Sequence, residues 1–153
     1  GAWLHDGRLR VSGRRHLADA LIVTGDTYAD ARLDVYAYAT SGQPLGVVLR
    51  YGEQGYYLLR LHVAASNTQP KAVLYLVTPT GEIQLNESRA WSGYTPAKWY
   101  HISATAKGAT LSVSIDGADL ITHTDDTLAS GRFGLYATAD GTAKFDNFRL
   151  VQP

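Results

Sequence analysis

The sequence predicts an all-β protein, namely a two-sheet antiparallel β-sandwich. Apolar and polar residues alternate with period two, most clearly over residues 32–38 and 110–115, which is the pattern of strands with one buried face. Turns rich in glycine interrupt this alternation about every ten residues, and we find no convincing amphipathic helix. Roughly ten to thirteen short strands in a chain of this length indicate two packed sheets.

The remaining strands are predicted from their apolar content. Three segments are more continuously apolar and contain many β-branched or aromatic residues, which is typical of central strands: residues 46–51, 55–63 and 71–77. Three more complete the set: residues 102–106, 131–138 and 144–151. Asp-Gly pairs at residues 116–117 and 140–141 predict hairpin turns, because a positive φ costs glycine little.

The composition limits the classes of function. Fourteen basic residues balance fourteen acidic ones, so we expect neither nucleic acid nor an anionic membrane as a partner. The chain has no cysteine, which excludes disulfides, thiol catalysis and thiolate metal sites. We expect residues 1–153 to form a single monomeric domain. Methionine is absent even at position 1, so we expect a piece of a longer protein. The absence of cysteine fits a secreted bacterial protein, which is the expected origin.

Several segments share their order and spacing with one known group of sandwiches. The end of the chain carries the most typical pair, GRFGLY at residues 131–136 and FDNFRL at residues 145–150. Earlier segments contribute as well: residues 46–51, 55–61, 98–102 and 111–117. Over residues 30–151 the chain resembles the concanavalin A-like lectin/glucanase jelly rolls of the laminin-G-like group. Within that group it is most similar to the family-66 carbohydrate-binding modules.

This resemblance implies a function. Family-66 modules accompany fructan-degrading enzymes, so the chain is expected to bind a polysaccharide or oligosaccharide while tethered to a catalytic domain. A β-fructan such as levan or inulin is the implied ligand. The same fold hosts lectins, glycosidases, lyases and adhesion modules. A glycoside hydrolase or polysaccharide lyase, and a laminin-G-like protein-interaction domain, therefore stay open as alternatives.

The acidic residues give little support to catalysis. Glycosidases use two carboxylates about 5 to 9 Å apart, a spacing that residues i and i+2 of one strand provide. The chain has no such pair, since its strand acids occur singly: Asp34, Asp116 and Asp146. Other acids fall in predicted loops: Glu82, Glu87, Asp125 and Asp126. We therefore expect a binding module without catalytic activity.

Sugar binding requires other side chains. An aromatic ring stacks on the apolar face of a sugar, while charged groups bind its hydroxyls. Trp91 and Tyr94 lie in the polar segment 86–94, where a core tryptophan would be unusual. We expect both rings to stack on the ligand, with the alternative that Trp91 folds back as a lid over the sandwich edge. Trp99 opens a strand where the resembling modules carry a structural tryptophan, so we expect it in the core.

Two arginines are candidates for binding sugar hydroxyls. Alternation that buries Val47 and Leu49 places Arg50 on the opposite strand face, and the same reasoning applies to Arg60 on the next strand. A charge on an otherwise apolar face is costly without solvent or a partner. Both arginines therefore either form stabilising ion pairs with acids such as Glu53 or bind the ligand.

The resemblance to fructan-binding modules further implies one shallow pocket. Glu53, Arg60, Trp91 and an acid of the Asp125–Asp126 pair would converge there. The aromatic rings would then stack on one or a few sugar units, and the charged side chains would bind hydroxyls.

A structural calcium ion is the one cofactor that the sequence suggests. Asp146 resembles the terminal-strand acid that ligates calcium in many carbohydrate-binding sandwiches. Calcium takes six to eight oxygen ligands, so further groups would have to contribute, and Asp26 and Asp140 are the candidate companions. The alternative is that Asp146 caps a local turn or bulge through its own backbone.

Overall fold

The computed structural model describes residues 2–5, 8–12, 20–138 and 142–152, which form thirteen strands and no helix. The first seven strands are β1 (Ala2–His5), β2 (Arg8–Ser12), β3 (Ala20–Val23), β4 (Ala31–Ala39), β5 (Leu45–Gly52), β6 (Gly55–Leu61) and β7 (Ala72–Thr78). The other six are β8 (Gly81–Ser88), β9 (Trp99–Lys107), β10 (Thr110–Ile115), β11 (Ala118–Thr124), β12 (Arg132–Ala137) and β13 (Thr142–Val151). Within the described ranges, nothing helical has the length or apolar character to cross a membrane.

The strands form two packed antiparallel sheets. Sheet A has seven strands in the order β1-β2-β13-β4-β9-β10-β11, and sheet B has six in the order β3-β12-β5-β6-β7-β8. The main hydrophobic core fills the space between the sheets and draws buried residues from both. The predicted fold class, a two-sheet antiparallel β-sandwich, is confirmed.

Sheet A forms because apolar residues occupy every second position of its central strands. On β4 the odd-numbered residues are buried and the even-numbered ones are partly or fully exposed. On β9 the even-numbered residues are the buried ones, and the register pairs Val35 with Ile102 and Leu33 with Ala104. Each strand therefore contributes one face to the core and one to solvent, as the alternation predicts.

Sheet B differs because its central strands are buried on both faces. Leu49, Tyr57 and Leu59 point into the main core, while Val48 and Leu58 belong to a second, smaller cluster on the outer face. The cluster is completed by the buried Tyr136 and by partly buried neighbours, which are Leu21, Val23, Tyr51, Tyr56, Tyr75 and Val77. This explains the continuous apolar character of residues 46–51 and 55–61 and confirms them as central strands.

Two expectations need correction. Glu82 and Glu87 lie on strand β8 rather than in loops. The apolar residues of this edge strand are Ile83 and Leu85 alone, a pattern too short to predict a strand. Trp99 is 36% exposed on the outer face of sheet A, because the following Tyr100 takes the buried position on β9. The predicted turn at residues 116–117 is present, with positive φ at both residues, whereas the turn at residues 140–141 lies outside the described residues.

A buried hydroxyl helps to hold the loop between β11 and β12, residues 125–131, against the core. Tyr57 is fully buried and donates its hydroxyl proton to the Asp125 carboxylate at 2.5 Å. The Tyr57 hydroxyl oxygen in turn accepts the Leu128 backbone N–H at 3.1 Å. Burial, together with the Asp125 carboxylate, raises the pKa of Tyr57 to about 12, so the phenol stays neutral and remains a donor at physiological pH.

We predict that Tyr57→Phe lowers the free energy of unfolding by about 1–3 kcal/mol, because Asp125 and the Leu128 N–H lose a buried partner. Chemical denaturation measures this loss. Tyr36→Phe, which removes a hydroxyl from an exposed ring, is the matched control and should change stability by less than about 0.5 kcal/mol. Equal effects of the two substitutions would show that the Tyr57 hydroxyl does not fasten the loop.

Candidate functional site

Arg50 has a structural role in the fold, which is the alternative to sugar binding that the sequence left open for it. Its guanidinium is buried, with 1% exposure, and donates to the backbone oxygens of Ala29 and Leu128, each at 2.9 Å. A third bond reaches the Asp30 carboxylate at 3.3 Å. The β5 register shifts between Leu49 and Gly52, and Arg50 has a φ of 53°. Simple alternation therefore fails where Arg50 lies.

Tyr94 is also unavailable as a stacking platform. Its ring is buried, with 2% exposure, and its hydroxyl donates to the backbone oxygens of Ser41 and Gln43. Trp91 is partly buried against the core and meets Tyr100 edge to face, with ring centroids 6.2 Å apart. This placement favours the alternative of a lid over the sandwich edge.

Arg60 lies on the outer face of sheet B and is held by an ion pair. Its guanidinium binds both carboxylate oxygens of Glu82, at 3.2 and 2.6 Å. It also lies over the rings of Tyr75 and Tyr136, at 4.8 and 5.4 Å from their centroids. Burial alone would lower the pKa of Arg60, but Glu82 and Tyr136 raise it. The stabilising role considered for this arginine therefore describes it best, with Glu82 rather than Glu53 as the partner.

Glu53, Asp125 and Asp126 lie at the opposite end of sheet B from Arg60. Glu53 is exposed in the β5–β6 turn, beside a cavity of about 260 Å³ between that turn and residues 128–130. Asp125 is engaged by Tyr57 and by the Thr127 N–H at 2.9 Å, and Asp126 is exposed.

The structure does not bring the predicted pocket together. Glu53 precedes Gly55 at the start of β6, whereas Arg60 lies near its end. At the usual rise of about 3.4 Å per residue, Gly55 and Arg60 are about 17 Å apart. Trp91 lies at the Arg60 end, since the neighbouring Tyr94 bonds the backbone of residues 62 and 64. The predicted residues are therefore divided between two ends of the sandwich.

Two of the three acids proposed for calcium, Asp146 and Asp26, lie among the described residues. Asp146 lies on β13 opposite Tyr36 and accepts the Asn147 N–H at 2.8 Å. Asp26 is exposed in the segment after β3, and Asp140 lies outside the described residues. Within the described ranges, no group of three acids or histidines is close enough to hold a metal. Calcium binding stays a prediction, which melting temperatures measured with calcium and with a chelator would check.

A different set of side chains lines a broad depression on the outer face of sheet A. This depression, which we name the sheet A groove, has a volume of about 890 Å³. Its lining comes from the outer faces of β4, β9 and β13: Arg32, Asp34, Tyr36, His101, Asn147, Phe148, Arg149 and Val151. Alternation on β4 and β9 directs the polar members outward, because their neighbours fill the core.

The contribution of β13 depends on a bulge. The register with β4 shifts between Asp146 and Arg149, and Asn147 has a φ of 54°. Asparagine tolerates this left-handed conformation better than most residues. The extra residue resets the alternation, so that Phe148 packs against the core while Arg149 is exposed opposite Asp34.

One aromatic ring dominates the groove. Tyr36 is 41% exposed and stacks on His101, with centroids 4.9 Å apart and an interplanar angle of 16°. Beside it, Trp99 packs against Tyr38 at 5.1 Å, and the Lys144 ammonium lies 5.2 Å from the Tyr38 centroid. The outer face of sheet A therefore carries a row of aromatic rings open to solvent.

A charged network lies next to these rings. The Asp34 carboxylate accepts the Arg32 Nε–H at 2.8 Å and lies 3.0 Å from His101 Nε2. Burial alone would raise the pKa of Asp34, but hydrogen bonds from Arg32, Ser103 and His101 lower it below its ordinary value. Asp34 is therefore ionised at neutral pH and fixes the orientation of both neighbours.

A second, more polar depression continues the groove across sheet A. It has a volume of about 340 Å³ and is lined by Ser103, Thr105, Ser112, Val113, Ser114, Asp119, Ile121 and Thr122. The two depressions are adjacent because Ser103 pairs with Asp34, and Thr105 with Arg32, in the β4–β9 register. Together they form a surface that suits an extended ligand.

Sequence reasoning missed the groove residues although a signal was present. The alternation over residues 32–38 already placed Arg32, Asp34 and Tyr36 on one outer face. The alternation does not show that His101 and Trp99 lie beside these residues, because their position depends on the pairing of β4 with β9.

Known structures support the fold. No protein-family model matches the chain, and no curated protein is significantly similar to it. Among solved structures, the carbohydrate-binding module CBM66 from Bacillus subtilis superposes with a TM-score of 0.76 at 18% identity, covering 94% of each chain. The chain has a concanavalin A-like jelly-roll fold.

Proteins described as glycoside hydrolases share this jelly-roll fold. A candidate glycosyl hydrolase from Parabacteroides distasonis gives a TM-score of 0.72 at 12% identity, covering all of this chain and 83% of that one. A xylan β-1,4-xylosidase from Bacillus halodurans gives 0.64 at 15% identity, covering 97% of this chain but 33% of the enzyme. At such low identities the likeness concerns the fold alone.

We predict that Asp34 contributes stability above a pH of about 4 that disappears in acid. Its pKa is lowered from 3.8 by folding, so the folded state favours the ionised form, and this contribution is lost as the pH falls through the folded pKa. The free energy of unfolding of Asp34→Asn should therefore lie below that of the parent at pH 7, with a smaller gap at pH 2. Asp126→Asn, at an exposed loop position, serves as the control; a gap for Asp34→Asn that does not change with pH would contradict this role.

Proposed function

We propose that the protein is a carbohydrate-binding module and that the sheet A groove is its binding site. The observation that carries the proposal is the exposed Tyr36 ring, held on His101 directly beside the Arg32–Asp34 pair. A sugar ring presents an apolar face and a rim of hydroxyls. The groove offers an aromatic surface for the first and charged hydrogen-bonding groups for the second.

The shape of the site supports binding along a glycan chain. The groove continues into the depression lined by serine and threonine hydroxyls on β9, β10 and β11. A single sugar would occupy only part of this surface. An oligosaccharide segment would fill more of it and bind with correspondingly more contacts.

The chemistry of the groove favours binding over hydrolysis. A glycosidase requires a carboxylic acid whose pKa is raised so that it can protonate the leaving group. Asp34, the acid among the groove-lining residues, has a lowered pKa and is held ionised by Arg32, Ser103 and His101. We therefore propose that the isolated protein releases no sugar from the glycans it binds, which a reducing-end assay would test.

The likeness to CBM66 and to a domain-sized part of the xylosidase is consistent with a module that serves a larger enzyme. We propose that it is secreted, monomeric and tethered to a catalytic domain, where it raises the local concentration of enzyme at the substrate. Levan and inulin, the β-fructans implied by the sequence resemblance, belong in the first set of ligands to be tested.

We predict that Tyr36→Ala weakens glycan binding about tenfold, since a stacking contact is worth about 0.5–1.5 kcal/mol beyond its buried area. Isothermal titration with a ligand identified on a glycan array would measure the change. Glu53→Ala, at the exposed turn far from the groove, is the matched control and should leave affinity unchanged.

Two outcomes would contradict the proposal. If no glycan binds in a broad array, a sugar-binding function is wrong, and a protein partner becomes the better hypothesis. If Glu53→Ala weakens binding and Tyr36→Ala does not, the site lies at the end cavity beside the β5–β6 turn instead of the groove.

A further inference from the structure

The charges in the sheet A groove are unbalanced. Arg32 and Arg149 flank Asp34, which is the carboxylate among the lining residues. Arg149 is the cross-strand neighbour of Asp34, and Arg32 lies on the same strand face two residues away. Among the residues that line the groove, two permanent positive charges therefore face one negative charge, although the whole chain is neutral. A second carboxylate, that of Asp146 opposite Tyr36, lies beside the groove and already accepts the Asn147 N–H.

The hydrogen-bonding groups are unbalanced in the same direction. The Asp34 carboxylate already interacts with Arg32, His101 and Ser103, so little of its accepting capacity is left for a ligand. Arg32 uses its Nε–H for this contact, and its side chain is 53% exposed. The structure shows no hydrogen-bond or ion-pair partner for Arg149 among the described residues. The groove is consequently rich in donors and poor in acceptors.

From this imbalance we infer that the groove selects a carboxylate-bearing glycan, that is, one containing uronic acid residues. Arginine is well suited to such a ligand, because its planar fork donates two parallel bonds to one carboxylate. This inference rests on the proposed function and specifies the class of sugar bound at the same site.

The spacing of the groove agrees with this assignment. Tyr36 lies diagonal to Arg149, since Arg149 pairs with Asp34 two residues away on β4. Diagonal cross-strand neighbours are about 7–8 Å apart, which matches the span of a sugar ring and its carboxyl group. A uronate stacked on Tyr36 can therefore reach the Arg149 guanidinium with its carboxylate.

Arg60 shows why the assignment concerns sheet A and not sheet B. Its guanidinium also lies among aromatic rings, but both terminal nitrogens already bind the Glu82 carboxylate. On sheet B the acid is supplied by the protein itself. In the sheet A groove, a ligand would have to supply the carboxylate that binds Arg149.

The test compares acidic oligosaccharides with their methyl esters, which keep the same ring and lose the charge. The intact chain would be titrated calorimetrically with oligomers of galacturonate, mannuronate, guluronate and glucuronate-containing disaccharide units. We expect at least one acid form to bind about tenfold or more tightly than its ester, because a hydrogen bond to a charged group is worth about 1.5–3 kcal/mol. The preference should fall as salt is added.

Arg149→Gln should remove the preference for the acid over the ester. Arg149→Lys, which keeps the charge but loses the planar fork, should retain only part of it. Arg132→Gln makes the same charge change at an exposed position on sheet B and should have no effect. Since Arg149 is exposed, none of these variants is expected to unfold.

The outcomes separate this inference from the proposed function. Equal binding of acids and esters, with Tyr36→Ala still weakening both, overturns the inference and leaves the glycan-binding module intact. Failure of every glycan to bind overturns both. If polyglutamate binds as tightly as the uronates and with the same dependence on Arg149, the groove is a general anion site, and selection of a glycan is wrong.

Discussion

The alternating burial of β4 and β9 is the constraint on which the site depends. The inward residues of both strands fill the core between the sheets, and their register pairs Val35 with Ile102. Slipping either strand by one residue would bury Asp34 or His101 and expose the core. The apolar half of each strand therefore fixes the position of the polar half. The stacking of Tyr36 on His101 is a consequence of core packing, achieved without a dedicated loop.

Strand β13 also has one face in the core and one in the groove, but it achieves this with a bulge that interrupts its alternation. Without a bulge, the inward position of Phe145 would direct Arg149 inward as well. The extra residue at Asn147 instead places Phe148 and Leu150 against the core and leaves Arg149 in the groove. Bulges of this kind re-aim side chains at functional sites in many sheets. Here one residue in a left-handed conformation decides whether the groove has one arginine or two.

The alternation of β4 and β9 and the bulge of β13 illustrate which parts of the molecule could be predicted from the sequence and which could not. Alternation and Asp-Gly turns depend on neighbouring residues alone, so the strands and the sandwich followed from them. The burial of Tyr94 could not be predicted, because its hydroxyl bonds the backbone of Ser41 and Gln43, which are distant in sequence. Trp99 is exposed, although the resemblance to other modules predicts a core residue, because Tyr100 takes the buried position on β9. Side chains in loops and at strand ends are placed by tertiary contacts that no local pattern contains.

The arginines show the same limit most clearly. Arg50 donates to backbone oxygens of the β11–β12 loop and of the segment before β4, and so joins the two. Arg60 donates to the Glu82 carboxylate. Arg32 shares Asp34 with His101, and Arg149 faces solvent beside them. In the sequence all four are arginines on or near predicted strands. What distinguishes a structural arginine from one that can bind a ligand is whether the folded chain already supplies its acceptors, because an arginine fork gains little from a ligand that must displace an internal partner.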